Sequence, residues 1–196
     1  MDSRRRVLLV GKRAPVLTRL AGALREQGIE AEQVRTADGS GVEARTGGGA
    51  TGPDGRRGYD VVGFGRAVRE ADRARLREAF TAVDPETVFV DGYAPIIPLL
   101  VAQFEQALDR RPRTARLLVD AAVRGGIVDL ELRCRSRLRI TSHRLDALHR
   151  ARERVVFDRD ADAGPHSAAL DPRTARSPRA FVVIRAGDET AALPVG

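Results

Sequence analysis

A single cysteine, no tryptophan and an aromatic content of 4% are the first constraints on this chain. One cysteine, Cys134, excludes an internal disulfide and any zinc site built from several thiolates. With six phenylalanines and two tyrosines in 196 residues, the core has to be packed from aliphatic side chains. No run of 18 or more apolar residues exists, so no transmembrane helix and no membrane partner are expected. The opening MDSRRRVLLVG has a basic run before apolar residues, but Val7–Val10 is too short for a signal segment and reads as the first strand of a cytoplasmic protein. Lysine is almost missing: of 34 basic residues only Lys12 is lysine. The net charge of +7 therefore accompanies a composition rich in Arg, Ala, Gly and Val, and is weak evidence for nucleic-acid binding. Its distribution says more. Residues 1–110 carry 17 basic and 16 acidic side chains, net +1, whereas residues 111–196 carry 17 and 11, net +6.

Apolar periodicity orders the first half. Arg6–Val10 reads as a buried strand closed by Gly11. Leu17, Leu20, Ala21 and Leu24 follow at helical spacing, with Pro15 in the first turn and Gly28 at the stop. Ile29–Val34, Tyr59–Gly65 and Thr87–Val90 read as further strands, and Glu70–Val83 and Ile96–Leu108 as helices. Strands alternating with helices imply a parallel, doubly wound sheet. Residues 36–58 hold eight glycines and almost nothing apolar, the composition of a flexible loop. Its Gly47–Gly48–Gly49 lacks the strand–turn–helix setting and the Lys-Ser/Thr of a phosphate loop.

The second half begins with the stretch VDLELRCRSRLRIT at 128–141. Even positions (Val128, Leu130, Leu132, Cys134, Ser136, Leu138, Ile140) are apolar or small, and odd positions from Asp129 to Arg139 are charged. Alternation at period two predicts one half-buried β-ribbon, with Cys134 as a buried thiol and Arg133, Arg135, Arg137 and Arg139 in file on the wet face. Such a file can follow a polyanion backbone, pair with acids on a neighbouring strand, or stand as a solvated face. No aromatic residue for base stacking lies on the ribbon. Around it, residues 113–123 are expected as a helix closed by Gly125–Gly126, Val155–Asp158 as a short strand, and 159–179 as loop. Phe181–Arg185 with Thr190–Val195 is expected as a hairpin.

The segments VLLVGKRAPVLTRLAGALREQGIEAEQV and YDVVGFGRAV, within residues 5–108, resemble a response-regulator receiver or, more broadly, a flavodoxin-like domain. The resemblance implies a parallel α/β scaffold over the N-terminal half. It also implies a site that has lost its chemistry. The family places acids just after the first strand to hold magnesium, where this chain has Gly11, Lys12 and Arg13, and the phospho-acceptor position falls on Gly65. Two cations and no carboxylate neither bind Mg²⁺ nor form an acyl phosphate.

Ligands of open α/β sheets bind beyond the carboxyl ends of the strands. That edge gathers Lys12 and Arg13 at the start of a helix, then Gly63, Gly65 and Arg66, then Asp91 and Tyr93. Two cations at a helix start suit an anion, and glycines let a ligand approach the backbone. The fingerprint G-x-G-x-x-G is absent after the first strand, so no dinucleotide site is expected. The histidines His143, His149 and His166 lack metalloprotease or zinc-finger spacing, and Asp158-x-Asp160-x-Asp162 lacks the Gly and Glu of a calcium loop. A Ser/His/Asp set could be assembled only from Ser142 or Ser167 with His166, and no nucleophile elbow supports it.

The expectation is therefore an α/β protein. It has a receiver-like or Rossmann-like parallel doubly wound sheet over residues 1–112 and a smaller part over 113–196, a helix plus antiparallel strands. The expected function is a non-catalytic regulatory or ligand-binding protein with an anion-binding tendency at Lys12, Arg13, Gly63, Gly65 and Arg66. No metal and no cofactor are predicted. One alternative is a small-molecule enzyme with a pocket between the halves, using Tyr93, Asp91 and His166. A second is nucleic-acid binding through Arg133, Arg135, Arg137 and Arg139. A homodimer is expected, since an exposed strand edge invites pairing.

Overall fold

All six residues of β1 (Arg6–Gly11) are buried, the pattern of a parallel strand covered on both faces. The computed structural model describes residues 5–35, 58–92 and 94–195. The chain divides after Leu108 into two compact units. In the first, β1, β2 (Glu30–Arg35), β3 (Val61–Phe64) and β4 (Val88–Asp91) form one parallel sheet in the order β2-β1-β3-β4. Alternate residues of β1 belong to different apolar clusters. Val7 and Leu9 pack with Leu20 and Leu24 of α1 (Ala14–Glu26) and with Val101 and Phe104 of α3 (Ile97–Leu108). Leu8 and Val10 pack with Leu76 and Phe80 of α2 (Glu70–Val83). Each fully buried aliphatic or aromatic side chain contributes roughly 1.5–3 kcal/mol of apolar burial. The core is thus aliphatic with a few phenylalanines, as the composition requires.

The second unit is antiparallel. Its strands are β5 (Leu118–Arg124), β6 (Ile127–Leu132), β7 (Ser136–Leu145), β8 (Ala151–Ala161), β9 (Gly164–Ala169), β10 (Ala180–Ala186) and β11 (Glu189–Pro194). They form two sheets, β5-β6-β9 and β11-β10-β7-β8. Both sheets line one cluster, with Val128, Leu130 and Leu132 of β6 beside Leu138 and Ile140 of β7 and Val182 and Ile184 of β10. Gly125 and Gly126 join β5 to β6 with φ of 57° and 79°. Two left-handed residues in succession make the tight turn whose twist suits a hairpin.

Four expectations for this half are corrected. Residues 113–123 do not form a helix. A 3-10 turn at Arg113–Ala115 leads into β5, because Leu118, Ala121 and Val123 face the common core across a bulge at Val119. The ribbon 128–141 is not one strand: it breaks at 133–135, and its halves, β6 and β7, belong to different sheets. Leu132 and Leu138 hold the core on either side. Cys134, between them, is exposed rather than buried. Finally, the segment expected as a short strand and loop carries the 11-residue β8, then β9 and a short helix α4 (Pro172–Ala175) capped by Asp171. The glycine-rich stretch 36–57 lies outside the described residues, as does Tyr93.

Candidate functional site

The carboxyl edge of the first sheet is built around two glycines. Gly11 closes β1 and Gly65 follows β3, with the Gly65 N–H donating to the Val10 carbonyl at 2.8 Å. A methyl group added at Gly65 would lie 3.6 Å from the Gly11 Cα, an ordinary contact distance. Exposed cations follow each glycine in the chain: Lys12 and Arg13, the latter at the N-cap of α1, after Gly11, and Arg66 after Gly65. Arg13 supplies no side-chain cap, and Pro15 occupies the first turn. Gly63 has a different reason to be glycine: a Cβ there would stand 2.2 Å from Cζ of Phe104, so the ring occupies that space.

The carboxylates of this edge come from α2 and β4 rather than from β1 or β3. Arg69 binds Asp72 at 2.9 Å and holds its carboxyl below the usual range, and Lys12 adds to the same effect from the end of β1. Asp91, the last residue of β4, accepts from Arg73 Nη1 at 3.2 Å and from Arg77 Nη2 at 2.5 Å. Arg73 also donates to the carbonyls of Val68 at 3.1 Å and Gly65 at 3.4 Å. The Arg77 guanidinium lies over the Phe64 ring, 5.5 Å from its centroid. Glu70 stands 3.6 Å from Arg73 and 3.5 Å from Arg77. Lys12, Arg13, Arg66, Arg69, Arg73 and Arg77 therefore share this edge with Asp72, Asp91 and Glu70. Arg73 and Arg77 did not emerge from sequence reading. Their spacing of four on a charged helix was visible, but nothing local to α2 says which strand end they reach.

The other candidates fall elsewhere. His166 is on β9 of the second unit, its Nε2 2.8 Å from the Asp162 carbonyl. Ser167 donates to Asp129 at 2.6 Å and Ser142 to the Arg154 carbonyl at 3.4 Å, so neither serine is bonded to a histidine. Among the described residues no group of three or more His, Cys, Asp or Glu could hold a metal ion.

The arginine file is mostly engaged by acids. Arg137 donates to Asp158 at 2.6 Å, Arg135 lies 3.5 Å from Asp160 and 3.9 Å from Asp162, and Arg139 lies 3.9 Å from Asp158. Arg133, at the break between β6 and β7, donates instead to the carbonyls of Arg116 at 2.8 Å and Arg113 at 3.4 Å. Of the three readings open for the file, pairing with a neighbouring strand is the arrangement observed.

The sequence did not reveal the burial of two groups of the second unit, Glu189 and His143. Glu189, 4% exposed, accepts the N–H groups of Leu117 at 2.6 Å and Leu118 at 2.8 Å. His143 is 2% exposed, with Glu153 3.8 Å from its Nδ1. Burial lowers the His143 pKa below the ordinary histidine range, against the pull of Glu153.

No known family model matches this chain, and no curated protein matches it.

Proposed function

We propose that the first unit is a doubly wound, receiver-like scaffold without phosphorylation chemistry, and that it serves as a non-catalytic module binding a small anionic ligand at the carboxyl edge of its sheet. The strand order supports the scaffold, since β2-β1-β3-β4 is the beginning of the flavodoxin-like order, whose ligands sit where the order reverses between β1 and β3. The observation that carries the ligand reading is the composition of that reversal point. Exposed Lys12 and Arg13 follow Gly11 and exposed Arg66 follows Gly65, where the two glycines lie side by side, and β1 and β3 supply no carboxylate there. An oxyanion gains charge-assisted hydrogen bonds at such an edge, whereas β1 and β3 offer a divalent cation no carboxylate, and the acids of α2 and β4 are already paired with arginines.

Titration calorimetry with inorganic phosphate, then with phosphomonoesters, tests the reading. Saturable binding is expected, weakened about tenfold or more in Lys12→Gln/Arg13→Gln, since each lost charged contact removes about 1–3 kcal/mol. Equal binding by that variant, or none by the parent protein, would reject it.

A further inference from the structure

We infer that Arg73 and Arg77 form a second anion seat, which Asp91 occupies from within the chain, and that a phosphate-bearing ligand engages it by displacing that carboxylate. The inference rests on the ligand reading above and adds its regulation.

Two arginines one helical turn apart converge on one carboxylate at the crest of β4. What sets this fork apart is that neither guanidinium depends on Asp91 for its position. Arg73 is held by the carbonyls of Val68 and Gly65, and Arg77 by the Phe64 ring. Removing the carboxylate would leave both donors aimed at the same point. The fork is preorganised, the condition under which an anion is bound with least ordering cost.

Stability does not explain the arrangement. The Asp91 side chain is 47% exposed, that of Arg77 32% and that of Arg73 16%. Ion pairs to a carboxylate this wet add little to stability, so Asp91 is held loosely enough to be exchanged. A planar fork matches the oxygens of a phosphate better than a point charge would, and a phosphate dianion brings twice the charge of the carboxylate it replaces. Glu70 stays near both arginines at 3.5 and 3.6 Å and moderates the gain without filling the seat. Gly65 links the two sites, because its carbonyl accepts from Arg73 while its N–H is fixed to β1. A ligand at the glycine pair therefore adjoins the fork, and occupancy of one is coupled to release of Asp91 from the other.

The test compares binding of inorganic phosphate by the parent protein, Asp91→Asn, Asp91→Ala, and Asp91→Asn combined with Arg73→Gln and Arg77→Gln. Circular dichroism controls for folding. Vacating the fork should tighten phosphate binding by about tenfold, the combined effect of losing two ion pairs to a half-exposed carboxylate. The gain should vanish in the triple variant. Parent-like affinity in both Asp91 variants, or a gain that survives loss of both arginines, overturns the inference. If the parent binds phosphate through Lys12 and Arg13 but Asp91→Asn binds no tighter, the second seat fails and the first stands. If neither parent nor variant binds phosphate, both fail.

Discussion

The ring of Phe104 fills the space in which residue 63 would carry its side chain, with Cζ only 2.2 Å from the ideal Cβ position of Gly63. A glycine read from sequence as an opening for ligand is thus the socket of a core aromatic. Gly63→Ala should cost about 1–3 kcal/mol, the usual penalty of overpacking. Because the clash is with one ring, Gly63→Ala combined with Phe104→Leu should recover part of the loss. Thermal unfolding of the two single variants and the double variant measures the coupling. Additive losses would refute the socket.

The Arg–Asp ladder between β7 and β8 bears on the nucleic-acid alternative. Asp158 and Asp160 neutralise the arginines that would otherwise follow a phosphate backbone. The pairs are exposed, so Asp158→Ala with Asp160→Ala should lower stability by no more than about 1 kcal/mol, less at high salt. The same variant should gain salt-dependent retention on duplex DNA that the parent protein lacks at physiological ionic strength. Fluorescence anisotropy with a labelled duplex decides. Tight binding by the parent, unaffected by the two substitutions, would restore the alternative.

Much of this fold was legible because its signals are local. The helices at 14–26, 70–83 and 97–108 follow from apolar spacing, and the strands Arg6–Gly11 and Val61–Phe64 from short aliphatic runs bounded by glycine. The misread segments share one cause: the decisive contact lies far along the chain. Residues 118–124, LVDAAVR, suit a helix by composition, and only pairing with β6 makes them a strand. The alternation at 128–141 is genuine on either side of Cys134, yet period two cannot show that a strand turns a corner between sheets. The site divides in the same way. Lys12, Arg13 and Arg66 follow from the rule about strand ends, whereas the reach of Arg73 and Arg77 to Asp91 needs the packing of α2 on β3 and β4.

Glu189 is a local feature whose importance is entirely tertiary. In sequence it is the first residue after a hairpin turn. In the structure it closes two backbone N–H groups that precede and begin β5, with Arg111 Nη1 at 3.5 Å. Glu189→Ala would leave the Leu117 and Leu118 donors unmet, each at a cost of about 1–3 kcal/mol. A loss of at least about 2 kcal/mol is expected in urea unfolding, with Glu189→Gln milder because its carbonyl still accepts. A loss below about 0.5 kcal/mol in the alanine variant would show that water replaces the carboxylate.

His143 should give the second unit a pH dependence separable from that of the carboxylates. The imidazole is buried between neighbours that include Glu153 and Phe181, and burial, aided by the positive charge of Arg185, keeps it neutral against the attraction of Glu153. Its folded pKa lies below the value of about 6.5 expected in the unfolded chain. In the interval between those values the unfolded state binds more protons, so stability increases with pH there. The contribution is complete above about pH 6.5 and is lost as pH falls through the folded pKa. Asp109, Asp146 and Asp171 are shifted the same way from a much lower starting point. Burial pushes Asp109 up, but hydrogen bonds from Arg111 outweigh it; the N–H of Arg150 leads for Asp146 and the Thr174 hydroxyl for Asp171. Their contributions persist down to about pH 4 and fade below it. The window from about pH 6.5 to 4.5 therefore isolates His143. Urea midpoints measured across it should fall with decreasing pH in the parent protein, and His143→Gln should flatten that decline whatever it does to stability at pH 7.5. An unchanged slope in the variant would mean that the buried imidazole is not the group being charged.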